Sequence, residues 1–186
     1  MRVLVISGAS AEGNTSKQCQ AFLSGLPSDW ESESVSAGGL RIAHCEGCNA
    51  CRNGKCRFDD DMCQIFESFD KADIIVFATP VRFNAPSSQI KTVMDRFQFL
   101  WNNPGAVAKK RRYMTFIGSA GRAIPDVRPL ISAFRSFCLG FGGTWLEHHV
   151  FAGTDSSTAG MEEVARDYAV GLSETVIAME TSFADS

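Results

Sequence analysis

The chain has 186 residues, of which 45% are hydrophobic and 21% charged, with a formal net charge of −3. That length allows one well-buried core, and the slight negative charge excludes the broad basic field that nucleic acid or an anionic membrane surface requires. No apolar run approaches membrane-spanning length, and residues 1–6 are too short for a signal-peptide core, so a cytoplasmic location is expected.

Residues 3–6 form a compact β-branched run, the mark of a central parallel strand buried on both faces. A small-residue loop (7–16) follows, and then Cys19, Phe22, Leu23 and Leu26 recur at helical spacing until Pro27 stops the helix. A second strand lies somewhere in 30–42, with poor alternation and an interruption at Gly38-Gly39. After a cysteine-rich loop, Asp59-Asp60-Asp61 offers an N-cap to a helix whose buried stripe is Met62, Ile65, Phe66 and Phe69. Residues 73–79 are the clearest strand. A loop (80–88) leads to one amphipathic helix marked by Ile90, Val93, Met94, Phe97 and Trp101. Residues 113–118 read as a strand, Leu130 to Cys138 as a helix, 144–151 as a fifth strand, and Met161 to Val176 as the closing helix. Alternation of β and α throughout predicts an α/β fold with a five-stranded parallel sheet between two helical layers, residues 1–186 forming one domain.

Ligands of open parallel sheets bind beyond the carboxyl ends of the strands, where strand order reverses. Three loops occupy such positions. The first, 7–16, brings small residues and the hydroxyls of Ser10, Thr15 and Ser16 to a helix N-terminus, a setting for phosphate. It is neither a Walker motif nor Gly-x-Gly-x-x-Gly; phosphate binding is the favoured reading and a hydroxyl-rich N-cap in a tight turn the competing one. The second (Pro80, Val81, Arg82, Phe83, Asn84) is stiffened by proline and suits a flat heterocycle with polar edges. The third (Ser119, Ala120, Gly121, then Arg122) again lets a ring approach backbone closely.

The order and spacing of several elements resemble the flavodoxin-fold NADPH-dependent FMN reductases, and within them the iron–sulfur flavoproteins. The matching pieces are Gly13-Asn14-Thr15-Ser16, the cysteine loop running into Asp60-Asp61-Met62, and 72–76. Thr79-Pro80-Val81 and Lys91 followed by Asp95-Arg96 complete the set. The likeness covers most of the chain to about Gly121. It implies a flavodoxin-like three-layer sandwich in which Ser10, Asn14, Thr15 and Ser16 hold the FMN phosphate. Pro80, Val81, Arg82, Phe83, Asn84, Ser119, Ala120 and Gly121 would border the isoalloxazine ring. NAD(P)H or a ferredoxin-like protein would be the electron donor and a small molecule or protein the acceptor. Two departures stand out: the phosphate loop lacks the family's arginine, and Arg82 replaces an aromatic residue after Pro-Val. A cation there would stabilise anionic reduced flavin. Hydride transfer to a flavin needs no protein acid or base, so no catalytic side chain is assigned. The aromatic run 97–101 suits either a dimer surface, in a homodimer or homotetramer, or a buried helix.

Four of the seven cysteines, Cys45, Cys48, Cys51 and Cys56, fall within twelve residues, in a loop (44–58) inserted before the second helix. Closely spaced thiolates in a glycine-containing loop can wrap a [4Fe–4S] cluster, with Arg52, Lys55 and Arg57 offsetting its charge. Zinc, with four thiolates or with His44 in a mixed site, and a metal-free set of thiols are the competing readings.

Overall fold

The structure is a computed structural model and describes residues 1–9 and 11–184. Its sheet is built on β1 (Arg2–Ser7), β2 (Glu31–Ser36), β3 (Ile74–Pro80) and β4 (Tyr113–Ser119), extended by β5 (Thr144–Trp145) and β6 (His149–Phe151). All pairings are parallel, in the order β2-β1-β3-β4-β5, with β6 also on β4. This is the 2-1-3-4-5 order of the flavodoxin-like fold, whose crevice opens between β1 and β3.

The expected fifth strand is present as two short pieces. Met114 pairs with Trp145 and Ile117 with His149, so three steps on β4 face four on its neighbour: one residue bulges out. The bulge exposes the Glu147 carbonyl, which accepts from Thr115 Oγ1 and Tyr168 OH, each at 2.7 Å. The second strand also departs from expectation: β2 is a polar edge that ends at Ser36, before Gly38-Gly39.

Side-chain alternation sends the two faces of each strand to different helices. Val3, Val5, Ile74, Val76 and Tyr113 pack under α1 (Asn14–Ser24) and α6 (Met161–Ala184). Leu4, Ile6, Ile75, Phe77 and Phe116 face α2 (Met62–Lys71), α3 (Ser88–Arg96), α4 (Gln98–Asn102) and α5 (Arg128–Gly140). The helix expected to run from Ile90 to Trp101 thus breaks at Phe97 into α3 and α4. Phe97 is buried and meets Phe66, Phe69, Phe137 and Phe141 ring to ring. The aromatic run is core for the most part, and Trp101 alone of its rings is exposed.

Candidate functional site

Backbone hydrogen bonds continue past the strand ends, so the loops leave the sheet at one level. Gly8 N–H donates to Ala78 O (2.8 Å), Val81 N–H to Ser119 O (2.7 Å) and Ala120 N–H to Phe151 O (2.8 Å). Buried Thr79 then closes the second loop: its hydroxyl donates to Pro80 O and accepts from Ser87 N–H, both at 2.9 Å. Ser87 Oγ in turn donates to Gly8 O (3.2 Å), tying the second loop to the first. The approach is so close that a Cβ on Gly8 would lie 2.3 Å from Ser87 Oγ.

Between these loops lies a cavity of about 570 Å³, reached by Gly13, Asn14, Thr15, Pro80, Arg82 and Ser119 among others. The α1 N-terminus opens into it. Its N-cap is Gly13, and no side chain among the described residues caps it. First-turn N–H groups without a cap, together with the helix dipole, form an anion site. A second concavity of about 490 Å³ adjoins the first through Val81, Gly121 and Arg122 and extends to Phe83 and Asn84. Arg82 and Arg122 are exposed at this mouth and make no ion pair with a described residue.

Of the expected site residues, Asn14, Thr15, Pro80, Val81, Arg82, Ser119 and Gly121 line the main cavity, and Phe83, Asn84 and Ala120 the adjoining one. Ser16 lies in the first turn of α1, half-buried, and is not among the lining residues. Ser10 lies outside the described residues. Two side chains have duties within the protein. Ser119 Oγ donates to Gln18 Oε1, and Asn14 Nδ2 donates to Thr154 O (3.4 Å).

The second loop carries an unexpected turn. Arg82 and Ala85 exchange both backbone hydrogen bonds at 2.9 Å, with Phe83 (φ +49°) and Asn84 (φ +63°) in the left-handed region. A fourth loop, after β6, escaped the sequence reading. Gly153 N–H donates to Arg122 O (2.8 Å) and Thr154 N–H to Ala120 O (3.0 Å), bringing Asp155 so close to Gly121 that a Cβ there would collide with its carboxylate. Gly153-Thr154-Asp155 just after a strand was the available signal.

The four motif cysteines line one small cavity, with Arg96, Phe58 and Phe99 behind them. Asp60 and Arg96 close this loop. The carboxylate meets Arg96 Nη1 and Nη2 at 2.6 and 2.9 Å and accepts from Ala43 N–H (2.9 Å) and Met62 N–H (3.2 Å). Burial would raise the Asp60 carboxyl, but the guanidinium and the two N–H groups outweigh it and hold the acid below its usual range. His44 is exposed and does not face this cavity. Among the described residues, no three His, Cys, Asp or Glu side chains converge tightly enough to hold a single ion. Four thiols share one concavity without meeting at a point, and buried Arg96 Nε has no hydrogen-bond partner among the described residues. Thiolates spread around a space suit a polynuclear group better than one ion.

A larger concavity, about 830 Å³, lies at the other end of the sheet beside Trp101 and the 109–112 basic run. Lys110, Arg111 and Arg112 there are paired with Asp73, Glu180 and Asp70, so it offers little free charge.

The model of the NADPH-dependent FMN reductase family matches residues 1–151. The chain belongs to that family. Its curated relatives include an iron–sulfur flavoprotein of Methanocaldococcus jannaschii, 36% identical over 99 residues (52% of this chain, 51% of that protein). Another, from Methanosarcina thermophila, is 33% identical over 113 residues (59% of each). The chain spans only about half the length of the first of those relatives. Among solved structures, a flavone reductase superposes with a TM-score of 0.73 at 22% identity, over 97% of this chain and 64% of that one. An NAD(P)H:quinone oxidoreductase from Methanothermobacter marburgensis gives 0.69 at 16% identity, over 95% and 96%. At such identities these two speak for the fold. No described helix is long and apolar enough to cross a membrane.

Proposed function

We propose that this chain is an FMN-dependent oxidoreductase that takes hydride or electrons from NAD(P)H or a ferredoxin-like protein and passes them to a small-molecule or protein acceptor. A [4Fe–4S] cluster on Cys45, Cys48, Cys51 and Cys56 serves as its second redox group. The flavin reading rests above all on the uncapped α1 N-terminus opening into a cavity walled by the tips of β1, β3 and β4. FMN, when bound, supplies the capacity to accept hydride and to release electrons singly or in pairs.

The chain's own part is positional. The first turn of α1, with the side chains of Asn14 and Thr15, holds a phosphate dianion, and Ser10 is the further donor expected from the sequence. Residues 80–84 and 119–121 border the ring, and Gly8 lets the first two loops close on each other. Arg82 and Arg122 put positive charge at the mouth, partly making up for the arginine missing from the phosphate loop. Residues 1–186 act as one unit in the cytoplasm, with loop 44–58 as an insertion. A second copy of the chain covers the mouth in a homodimer or homotetramer, where Phe83 and Ile124 are 103% and 90% exposed. Isolated apolar tips beside a ligand cavity suit such a cover.

A second reading, a one-electron carrier with little nicotinamide activity, draws support from the N–H donors aimed at two cysteine sulfurs. Protein prepared without oxygen separates the two. A flavin spectrum with about one FMN per chain, and iron and sulfide near four each, are expected for both. Rapid NADPH oxidation marks the reductase and its absence the carrier. A colourless protein that takes up no added FMN overturns both.

A further inference from the structure

The four cysteines differ in surroundings. Cys45 and Cys48 are exposed, whereas Cys51 and Cys56 are half-buried against the end of α3 and α4. Side-chain N–H donors reach the inner pair, and among the described residues none reaches the outer pair. Asn102 Nδ2 lies 3.0 Å from Cys51 Sγ, and Arg96 Nη2 lies 3.6 Å from Cys56 Sγ.

Both donors are held in place. Arg96 is 3% exposed, gripped by the two oxygens of Asp60, and donates through Nη1 to Ala43 O at 2.8 Å. The Phe58 ring lies 5.0 Å from its guanidinium carbon. Beside Asn102, Asn103 Nδ2 donates to Cys51 O and to Phe99 O, both at 2.8 Å, stapling the end of α4 to the loop at Cys51. The Asp60–Arg96 pair is neutral as a whole, yet the Arg96 end is the one that touches sulfur.

The geometry points to Arg96 and Asn102 as positioning residues that set the reduction potential of a cluster held by the four thiolates. The inference rests on the cluster reading above. One-electron reduction adds a negative charge to a centre already ringed by thiolates. N–H groups on the sulfurs stabilise the more negative state and raise the potential. A cluster held there would have this help at its two inner sulfurs, from Arg96 of α3 and Asn102 of α4, and would lack it at the outer two. The nine-residue helix α3 starts beside the flavin cavity at Ser88 and ends at Arg96, a rise of roughly 12 Å. Its far end therefore tunes the driving force between the two redox sites.

The test is a dithionite titration of anaerobically prepared holoprotein, followed by the electron paramagnetic resonance signal of the reduced cluster, with iron per chain measured on the same samples. Asn102→Ala and Arg96→Gln are each expected to lower the midpoint potential, with Arg96→Lys restoring part of the loss. If Arg96→Gln fails to fold, Asn102→Ala alone decides. An unchanged midpoint in Asn102→Ala overturns the proposal. So does loss of iron with the remaining centres at the original midpoint, which is what a merely structural role produces. Iron absent from the unaltered protein removes the cluster reading itself, and this inference with it.

Discussion

A Cβ on Gly8 would meet Ser87 Oγ at 2.3 Å and Ile90 Cγ1 at 2.5 Å. Ile90 is wholly buried and Ser87 already bonds the Gly8 carbonyl, so neither yields cheaply. Gly8→Ala is expected to cost about 1–3 kcal/mol in stability. By prising the first loop off α3 it also weakens FMN binding about tenfold or more, equivalent to ~1.4 kcal/mol, as flavin fluorescence quenching will measure. At Arg82 the expectation concerns charge. With no described partner, its guanidinium is free to stabilise anionic reduced flavin, so Arg82→Tyr should lower the flavin midpoint potential, and a spectroelectrochemical titration reads the sign. Phe83 shows a different economy. It holds a left-handed φ of +49° with its ring fully exposed in the single chain, so without flavin or a covering second copy the strain is offset by no packing. In monomeric apoprotein Phe83→Asn, which tolerates that region, is expected to stabilise by ~1 kcal/mol and raise Tm by about 2–4 °C. Asn84 was the one hint of this turn in the sequence. Positive φ at an aromatic residue is imposed by the Arg82–Ala85 pairing, and no propensity announces it.

Elements were legible where one interaction dominates. Strands β1, β3 and β4 are buried on both faces, and hydrophobic burial alone writes their runs of Val, Ile and Phe. The α3–α4 break was illegible because the apolar spacing runs straight through it. Phe97 N–H bonds both Val93 O and Met94 O at 3.2 Å, and the chain bends without losing its stripe. Asp59-Asp60-Asp61 reads as a cap, and Asp60 does accept from Met62 N–H, but its larger work is with a cation 36 residues away. Sequence spacing cannot reveal such a pair. Its consequence is a pH dependence. The folded Asp60 carboxyl is held below its unfolded value, near 4. The stability it adds is complete above that value and lost as pH falls through the lower folded one. Asp60→Asn leaves the buried Arg96 charge unanswered and is expected to cost about 3–5 kcal/mol at neutral pH. Thermal unfolding followed from pH 7 to pH 2 should show the two proteins converging below about pH 4.

At the scale of the whole molecule, parallel strands carry their loops to one end, and everything assigned to flavin lies there. The thiol cavity sits at the far end of α3, so two chemistries share one sheet without sharing a loop. Alternation of β and α made this arrangement readable in advance, whereas the fourth loop was lost because the bulge at 146–148 disguises where the last strand stops. Binding by these loops couples to the stability of the entire fold. A ligand that binds only the native state at a hundred times its Kd stabilises by ~2.7 kcal/mol. For a chain of this size that is a rise in Tm of roughly 5–10 °C. FMN should therefore raise the Tm of apoprotein by about that much, and Gly8→Ala should blunt the shift. Riboflavin has the same ring and no phosphate, so it cannot use the uncapped first turn of α1. At equal concentration it should produce a clearly smaller shift, one that inorganic phosphate does not alter. Equal shifts from FMN and riboflavin in differential scanning fluorimetry would mean that the α1 N-terminus holds no phosphate and that the ring loops carry the binding alone.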